Sequence, residues 1–158
     1  MTHRYKAVAV ETSYWKPGDD YLTQLIQAIK NIVKNGDIVT VSEKAVSTAL
    51  GNLVDEKTVE PSKLARVISK YWMRLIWPYV LGSICHLRQK TINVLRSYPI
   101  EEGSRHKQLA LQQRGLLQAL MHGSEGGIDG SNLPKSYVCL PLENGQAITD
   151  KLRLRIER

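Results

Sequence analysis

The stretch Gly126-Gly127-Ile128-Asp129-Gly130-Ser131-Asn132-Leu133-Pro134 decides the fold, because it places a polar, glycine-rich loop just before an apolar segment at residues 137–142. Glycine lets backbone N–H groups approach a ligand closely. An acid and an amide in the same loop can then bind a cation or the polar edge of a ligand. The stretch therefore predicts a binding loop that leads into a β-strand.

Asp129 has two interpretations. Its carboxylate suits Mg²⁺ or Mn²⁺ bound to phosphate, because these cations prefer oxygen ligands. Asp, Gly, Ser and Asn also favour turns for local reasons, and composition alone favours this Asx-turn interpretation. Asn132 likewise has two interpretations: its amide contacts a nucleotide, or it stabilises a turn. Glu125 is a second acid or, as we favour, a solvated loop charge.

The bulk composition predicts one soluble domain spanning residues 1–158. Of its residues 42% are hydrophobic and 23% charged, which is ordinary for a globular protein. The net charge of +7 suits an anionic partner. Cys85 and Cys139 lie far apart, which indicates reduced thiols and a cytoplasmic protein. We expect no signal peptide and no membrane span, since the most apolar stretch is too short and is bounded by arginines.

Hydrophobic periodicity predicts several helices and short strands along the chain. A Pro-Ser pair at residues 61–62 is typical of a helix start. The last helix keeps a four-residue apolar spacing without a closing residue, so we expect the N-terminal portion of a longer fold, incomplete at its C-terminus. Strands are predicted at residues 5–10, 38–41 and 137–142, and helices at residues 22–33, 43–50, from 61, 78–97, 105–121 and from 146, with a loop at residues 99–104.

Three blocks of residues carry a family resemblance. They are Lys16-Pro17-Gly18-Asp19-Asp20-Tyr21, then residues 36–47 with their Gly-Asp-Ile strand pattern and Lys-Ala-Val-Ser segment, then Gly127-Ile128-Asp129-Gly130-Ser131-Asn132. In this order they resemble the N-terminal portion of the coenzyme F420-0:L-glutamate ligase (gamma-glutamyl ligase) family. The third block, similar to the family's Gly-Ile-Asp-x-Ser-Asn signature, is the most specific.

The resemblance implies an α+β fold with a short mixed sheet and several helices, and the activity of a GTP-dependent ligase. GTP would phosphorylate a carboxylate of a coenzyme F420 precursor, and the amine of L-glutamate would attack the acyl phosphate to form an amide. The implied cofactors are a divalent cation, Mg²⁺ or Mn²⁺, and GTP as co-substrate. The resemblance makes Asp129 a metal ligand and identifies no catalytic residue. It implies nucleotide-binding roles for Glu11, Thr12, Ser13, Tyr14, Glu43, Lys44 and Asn132.

One departure from the family leaves alternatives open. Family members usually have Ser-Lys where this chain has Ser47-Thr48, so a phosphate-facing lysine is missing. The alternative function is a catalytically incomplete module of the same fold that binds a nucleotide or a partner chain. An exposed apolar edge would favour association, so a homodimer is compatible with the sequence.

A nucleic-acid-binding protein is the third hypothesis, from a different class. A basic surface would support this hypothesis. No nucleic-acid-binding motif accompanies the basic residues, and we therefore disfavour the hypothesis. The histidines are scattered, and a lone histidine is usually structural or exposed. The residues of this candidate face are Arg88, Lys90, Arg96, Arg105 and Lys107.

Overall fold

Residues 4–123, 125–134 and 136–157 are described by the computed structural model of this chain. The remaining residues of the predicted 1–158 domain lie outside the described residues. The chain divides into unit 1, Met1–Asn52 with Leu142–Arg158, and unit 2, Leu53–Pro141. We describe each unit by itself, and the single-domain assignment stays a prediction.

Helices dominate the described chain, together with one small antiparallel sheet, so the α+β prediction is confirmed. The elements are α1 (Tyr21–Ile29), α2 (Glu43–Ala49), β1 (Leu53–Asp55), a 3₁₀ turn (Glu56–Thr58), α3 (Lys63–Val67), a π-helix (Ile68–Leu81), α4 (Gly82–Ile84), α5 (Gln89–Arg96), α6 (Ile100–Arg114), α7 (Leu116–Ala119), a second 3₁₀ turn (Glu125–Gly127), β2 (Tyr137–Cys139) and α8 (Gly145–Ile156). None of the helices in the described ranges is long and apolar enough to cross a membrane.

Unit 1 packs α1, α2 and α8 around one core. Asp20 caps α1 by accepting hydrogen bonds from the Thr23 backbone N–H at 3.2 Å and from its hydroxyl at 2.6 Å. The Gly18 N–H donates to the Ala49 carbonyl at 2.9 Å, so the first sequence block is tied to the helix of the second. The buried core residues are Trp15, Tyr21, Leu25, Ile29, Val46, Ala49 and Leu152.

The strands predicted at residues 5–10 and 38–41 are wrong. Both segments are irregular, and Tyr5 and Ile38 are more than 70% exposed, at 78% and 73%. A β-branched pattern forms a strand only where a partner strand and a packing surface are present. Neither segment pairs with a strand in the described part of the chain.

Unit 2 contains the sheet and a second core. Strand β2, predicted from the sequence, pairs antiparallel with β1, and Val54 lies opposite Val138. Val138 is buried among side chains of the π-helix, α5 and α6. The buried core residues are Ile68, Met73, Trp77, Leu95, Leu109, Ala110, Ala119, Ile128 and Val138.

The helix predicted at residues 78–97 is wrong in its bounds. Ser62 caps α3 as expected, accepting the Ala65 N–H at 3.2 Å, but the helical run then continues from residue 63 to 84. Pro78 lies inside the π-helix rather than at a helix start. The wider π turn relieves the clash between the proline ring and the preceding carbonyls. A turn at residues 85–88 then separates α4 from α5.

The loop predicted at residues 99–104 is the first turn of α6. Two acids there, Glu101 and Glu102, favour a helix N-terminus. Gly103 lies against the Tyr98 ring, where an added Cβ would stand 2.9 Å from a ring carbon. Gly115, with φ +81°, separates α6 from α7 and ends the helix earlier than predicted.

Candidate functional site

The glycine loop, residues 126–134, is fixed to strand β2 through Asp129. The Asp129 N–H donates to the Cys139 carbonyl at 3.1 Å, and the Cys139 N–H donates back to the Asp129 carbonyl at 2.9 Å. Between the two 3₁₀-turn glycines and this bridge, Ile128 is buried in the core of unit 2. The backbone of Asp129 is therefore held by a bond pair and by an apolar anchor one residue away.

The Asp129 side chain forms an Asx turn. Its Oδ1 accepts the Ser131 N–H at 2.7 Å, and the residue is half-buried at the bend of the loop. The turn interpretation is therefore confirmed. A carboxylate has about four acceptor sites, so turn formation and cation binding are compatible in one side chain.

Asn132 lies in the exposed part of the same loop. Its φ is +58°, a left-handed conformation that asparagine tolerates better than most residues. Gly130 and Ser131 are exposed beside it. The loop therefore presents a hydroxyl and an amide next to the Asp129 carboxylate.

Two tryptophans fix the backbone that leads into the glycine loop. The indole N–H groups of Trp72 and Trp77 both donate to the Leu120 carbonyl, at 2.9 and 2.8 Å. A carbonyl oxygen has two lone pairs, so both bonds form at once. The chain is thereby held to the π-helix just ahead of Gly123.

Four charged side chains form a partly buried group beside the loop, here called the ion cluster: Glu56, His106, Lys107 and Glu125. Lys107, which is 0% exposed, donates to Glu125 Oε1 and to the Met121 carbonyl, both at 2.8 Å. His106 Nδ1 lies 2.5 Å from Glu56 Oε1, and its Nε2 lies 3.5 Å from Glu125 Oε2. Two cations and two anions therefore face one another.

Mutual bonding sets the protonation of the ion cluster. Burial lowers the pKa of His106, but the bonds to Glu125 and Glu56 outweigh it and raise this pKa from 6.5 to about 9. Burial raises the pKa of Glu125, yet His106 and Lys107 hold it well below its usual range. Burial lowers the pKa of Lys107 against the pull of Glu125. At neutral pH His106 and Glu125 are therefore both charged.

The prediction of Glu125 as a solvated loop charge is wrong, because its side chain is only 12% exposed. Lys107 likewise does not belong to a basic surface, which removes one residue from the candidate nucleic-acid face. A signal was present in the sequence: Ile100, Ser104, Lys107 and Leu111 share a helical spacing that places Lys107 on the buried side of α6.

The other candidate nucleotide-binding residues lie in unit 1. Glu11, Thr12, Ser13 and Tyr14 are exposed in an irregular segment, where the Ser13 hydroxyl donates to Gln24 at 2.7 Å. Glu43 and Lys44 open α2. Glu43 Oε1 accepts the Leu142 N–H at 2.9 Å, so this carboxylate holds the returning chain.

Thr48 fits its position by size and polarity. It is 3% exposed, and its hydroxyl donates to the Lys44 carbonyl one turn earlier, at 2.8 Å. A lysine at this position would have to leave the buried face of α2 to reach solvent. The departure from the family pattern is therefore accommodated by the packing of unit 1.

The donor set around Asp129 determines which metal chemistry is possible. In the described ranges, no three His, Cys, Asp or Glu side chains converge to hold a metal ion. Mg²⁺ is commonly bound by one or two carboxylates together with substrate phosphates. A single loop carboxylate fits a cation that arrives with a phosphate ligand, and does not fit a cation held by side chains alone.

These features define an α+β protein built around a glycine-rich loop with an Asx turn at Asp129. The family model described as F420-0:Gamma-glutamyl ligase matches residues 9–158. This chain belongs to that family, which confirms the resemblance read from the three blocks.

The chain is also similar to a longer protein. The uncharacterized protein MJ1361 of Methanocaldococcus jannaschii is 36% identical over 156 residues, which cover 97% of this chain and 53% of that protein. The chain therefore spans about half the length of this relative.

Proposed function

We propose that this chain takes part in a GTP-dependent amide ligation between L-glutamate and a coenzyme F420 precursor. The γ-phosphoryl group of GTP passes to a carboxylate oxygen of the precursor, and GDP leaves. The amine of glutamate then attacks the acyl phosphate carbon, and phosphate leaves as the amide forms. Phosphorylation is needed because a free carboxylate is a poor electrophile.

The anchored glycine loop carries this proposal. Within unit 2, the Asp129 carboxylate binds the divalent cation that accompanies GTP, and the Asn132 amide donates to a nucleotide oxygen. A bound Mg²⁺ or Mn²⁺ neutralises charge on the phosphoryl group during transfer. Because Asp129 is fixed to β2 by two backbone bonds, its carboxylate needs little reorganisation to bind the cation.

The nucleotide contacts that the resemblance implies in unit 1 are proposed for that unit by itself. Lys44, in the first turn of α2, is proposed to pair with phosphate oxygens, and Glu43 keeps its position by holding Leu142. The exposed segment at residues 11–14 is proposed to contact the nucleotide through its polar side chains. The homodimer and the cytoplasmic location stay predictions.

Mass spectrometry tests the reaction directly. The chain is incubated with GTP, MnCl₂, L-glutamate and the F420 precursor, and the precursor mass and the released GDP are followed. The proposal predicts a product one glutamyl unit heavier, with one GDP for each bond formed. Omission of glutamate should abolish the heavier product. GTP consumption without any glutamyl product would contradict the ligation.

A nucleotide-binding module without turnover is the second candidate. The observation that favours it is Thr48, which stands where family members usually have a phosphate-facing lysine. This candidate predicts manganese-dependent GTP binding with no change in precursor mass. A glutamylated product would eliminate it.

A further inference from the structure

The ion cluster has no role in the ligation described so far, although it adjoins the glycine loop. Glu125 is followed directly by Gly126, and its carboxylate pairs with two side chains of α6, His106 and Lys107. Burying charged groups is costly unless every charge is paired, and a paired cluster can fix one local geometry. Its position suggests that this geometry is that of the loop.

Lys107 bridges two points of the chain that lie four residues apart. One N–H of its ammonium goes to the Met121 carbonyl and another to Glu125 Oε1, each at 2.8 Å. Gly123, with φ +89°, lies between these two points. Lys107 therefore holds Met121 and Glu125 close to each other, and the Tyr98 ring, with its centroid 5.9 Å from Nζ, lies over the ammonium.

Lys107 thereby holds Glu125, the residue that precedes the glycine loop. After Glu125, Gly126 and Gly127 both take positive φ, 69° and 87°. Glycine has wide conformational freedom, so these two residues do not by themselves determine the path of the chain. Asp129 is held at the other side by its bridge to Cys139. Between these two points Ile128 is buried in the core of unit 2, so the glycine pair joins the position of Glu125, which Lys107 holds, to this apolar anchor.

We propose that Lys107 is a positioning residue, which holds Met121 and Glu125 together so that the glycine loop presents the Asp129 carboxylate to cation-bound GTP. The proposal rests on the function proposed above for Asp129. His106 and Glu56 complete the charge balance around Glu125. His122, Tyr98 and Trp77 also lie at this site.

The test separates loop positioning from fold stability. Lys107→Met removes one cation and leaves Glu56 and Glu125 facing His106 alone, so its melting temperature should fall. Lys107→Met/Glu125→Met removes both members of the pair, keeps the His106–Glu56 pair and restores charge balance. We expect the double variant to recover most of the melting temperature, since apolar replacement of a whole buried pair is often tolerated.

Loop geometry is read by amide hydrogen exchange. The N–H groups of Asp129, Ser131 and Cys139 are hydrogen-bonded in the structure. In the double variant their exchange should accelerate at least about tenfold, as expected for local opening, while the α1 amide of Gln24 stays unchanged. Unchanged exchange at all three loop amides would overturn the proposal, whether or not the chain binds GTP.

Ligand affinity provides the second readout. The dissociation constant for GTP with MnCl₂ should rise at least about fivefold in the double variant, because a loosened loop must be ordered on binding. Lys90→Met, which removes an exposed lysine of α5, is the matched control and should bind like the wild type. Wild-type affinity in the double variant would overturn the proposal. Absence of GTP binding by the wild type would remove the proposed function, and the exchange result would then decide the role of Lys107.

Discussion

Gly126 has a backbone conformation and a close contact with Arg114 that only glycine allows without strain. Its φ is +69°, where an L side chain is strained, and an added Cβ would stand 2.7 Å from Arg114 Cβ. The left-handed conformation alone costs a non-glycine residue roughly 1–2 kcal/mol. Small size and positive φ are therefore both required at this position.

Replacement of Gly126 should consequently destabilise the protein. We expect Gly126→Ala to lower the free energy of unfolding by about 2 kcal/mol or more, from backbone strain and contact with Arg114. Urea denaturation measures the change. Gly145→Ala is the control, because a Cβ at Gly145 meets nothing within 4 Å. Equal stability of the two variants would argue against strain at Gly126.

At the residue scale the sequence predicted the loop better than its surroundings. The Asx turn at Asp129 and the strand that follows were both correct, because turn chemistry is local. The burial of Glu125 was not predictable from its neighbours in sequence. It depends on His106 and Lys107, which lie 19 and 18 residues earlier and approach only after α6 folds back.

Helix α6 makes stability depend on pH through His106. The pKa of His106 rises from 6.5 when unfolded to about 9 when folded. A raised folded pKa contributes stability that is complete below pH 6.5 and is lost progressively as the pH rises to about 9. At about 1.4 kcal/mol per pKa unit, the contribution is on the order of 3 kcal/mol.

The measurement is urea denaturation at several pH values between 6.5 and 9. Wild-type stability should fall across this window by more than that of His106→Gln, which carries no titrating imidazole. The difference between the two proteins isolates His106 from other titrating groups. Parallel stability curves for the two proteins would show that His106 is not held in its charged form.

The π-helix and the segment after α7 should be energetically coupled through Leu120. Trp72→Phe and Trp77→Phe each leave one indole donor on the Leu120 carbonyl, whereas the double variant leaves none. An unsatisfied buried acceptor costs about 1–3 kcal/mol. We expect the double variant to lose at least about 0.5 kcal/mol more than the two single losses together, as measured by a double-mutant cycle. Additive losses would contradict shared bonding.

At the element scale, local signals located several helix starts but only one of the three predicted strands. The helix start at Ser62 was found from the sequence, because this cap lies within three residues of the N–H that it accepts. The segment at residues 38–41 has a strand composition but no strand, since pairing depends on distant residues. Pro78 was read as a helix start because a π-helix has no simple sequence signal.

At the scale of the whole molecule, the region that matches the family model includes parts of both structural units. This region is residues 9–158. The family was identified from three short blocks of sequence, at residues 16–21, 36–47 and 127–132. The two-unit division was not visible in the sequence, because the segments of unit 1 are separated by the whole of unit 2.

Ligand binding should stabilise the folded chain by mass action. A ligand at 100 times its dissociation constant adds about 2.7 kcal/mol to the free energy of unfolding. We therefore expect GTP and MnCl₂ together to raise the melting temperature of the full chain, and either alone to have a much smaller effect. The same rise with ATP would indicate nucleotide binding without preference for guanine.

Calorimetric titration of GTP in the presence of MnCl₂ tests most directly whether Asp129 binds the cation that accompanies the nucleotide. Asp129→Asn keeps an oxygen that can accept the Ser131 N–H but removes the charge. Asp150→Asn makes the same change at an exposed position of α8. We predict manganese-dependent binding by the wild type and by Asp150→Asn, and a loss of at least about tenfold in Asp129→Asn, which corresponds to about 1.4 kcal/mol. Equal manganese-dependent affinity in all three proteins would contradict the assignment of Asp129.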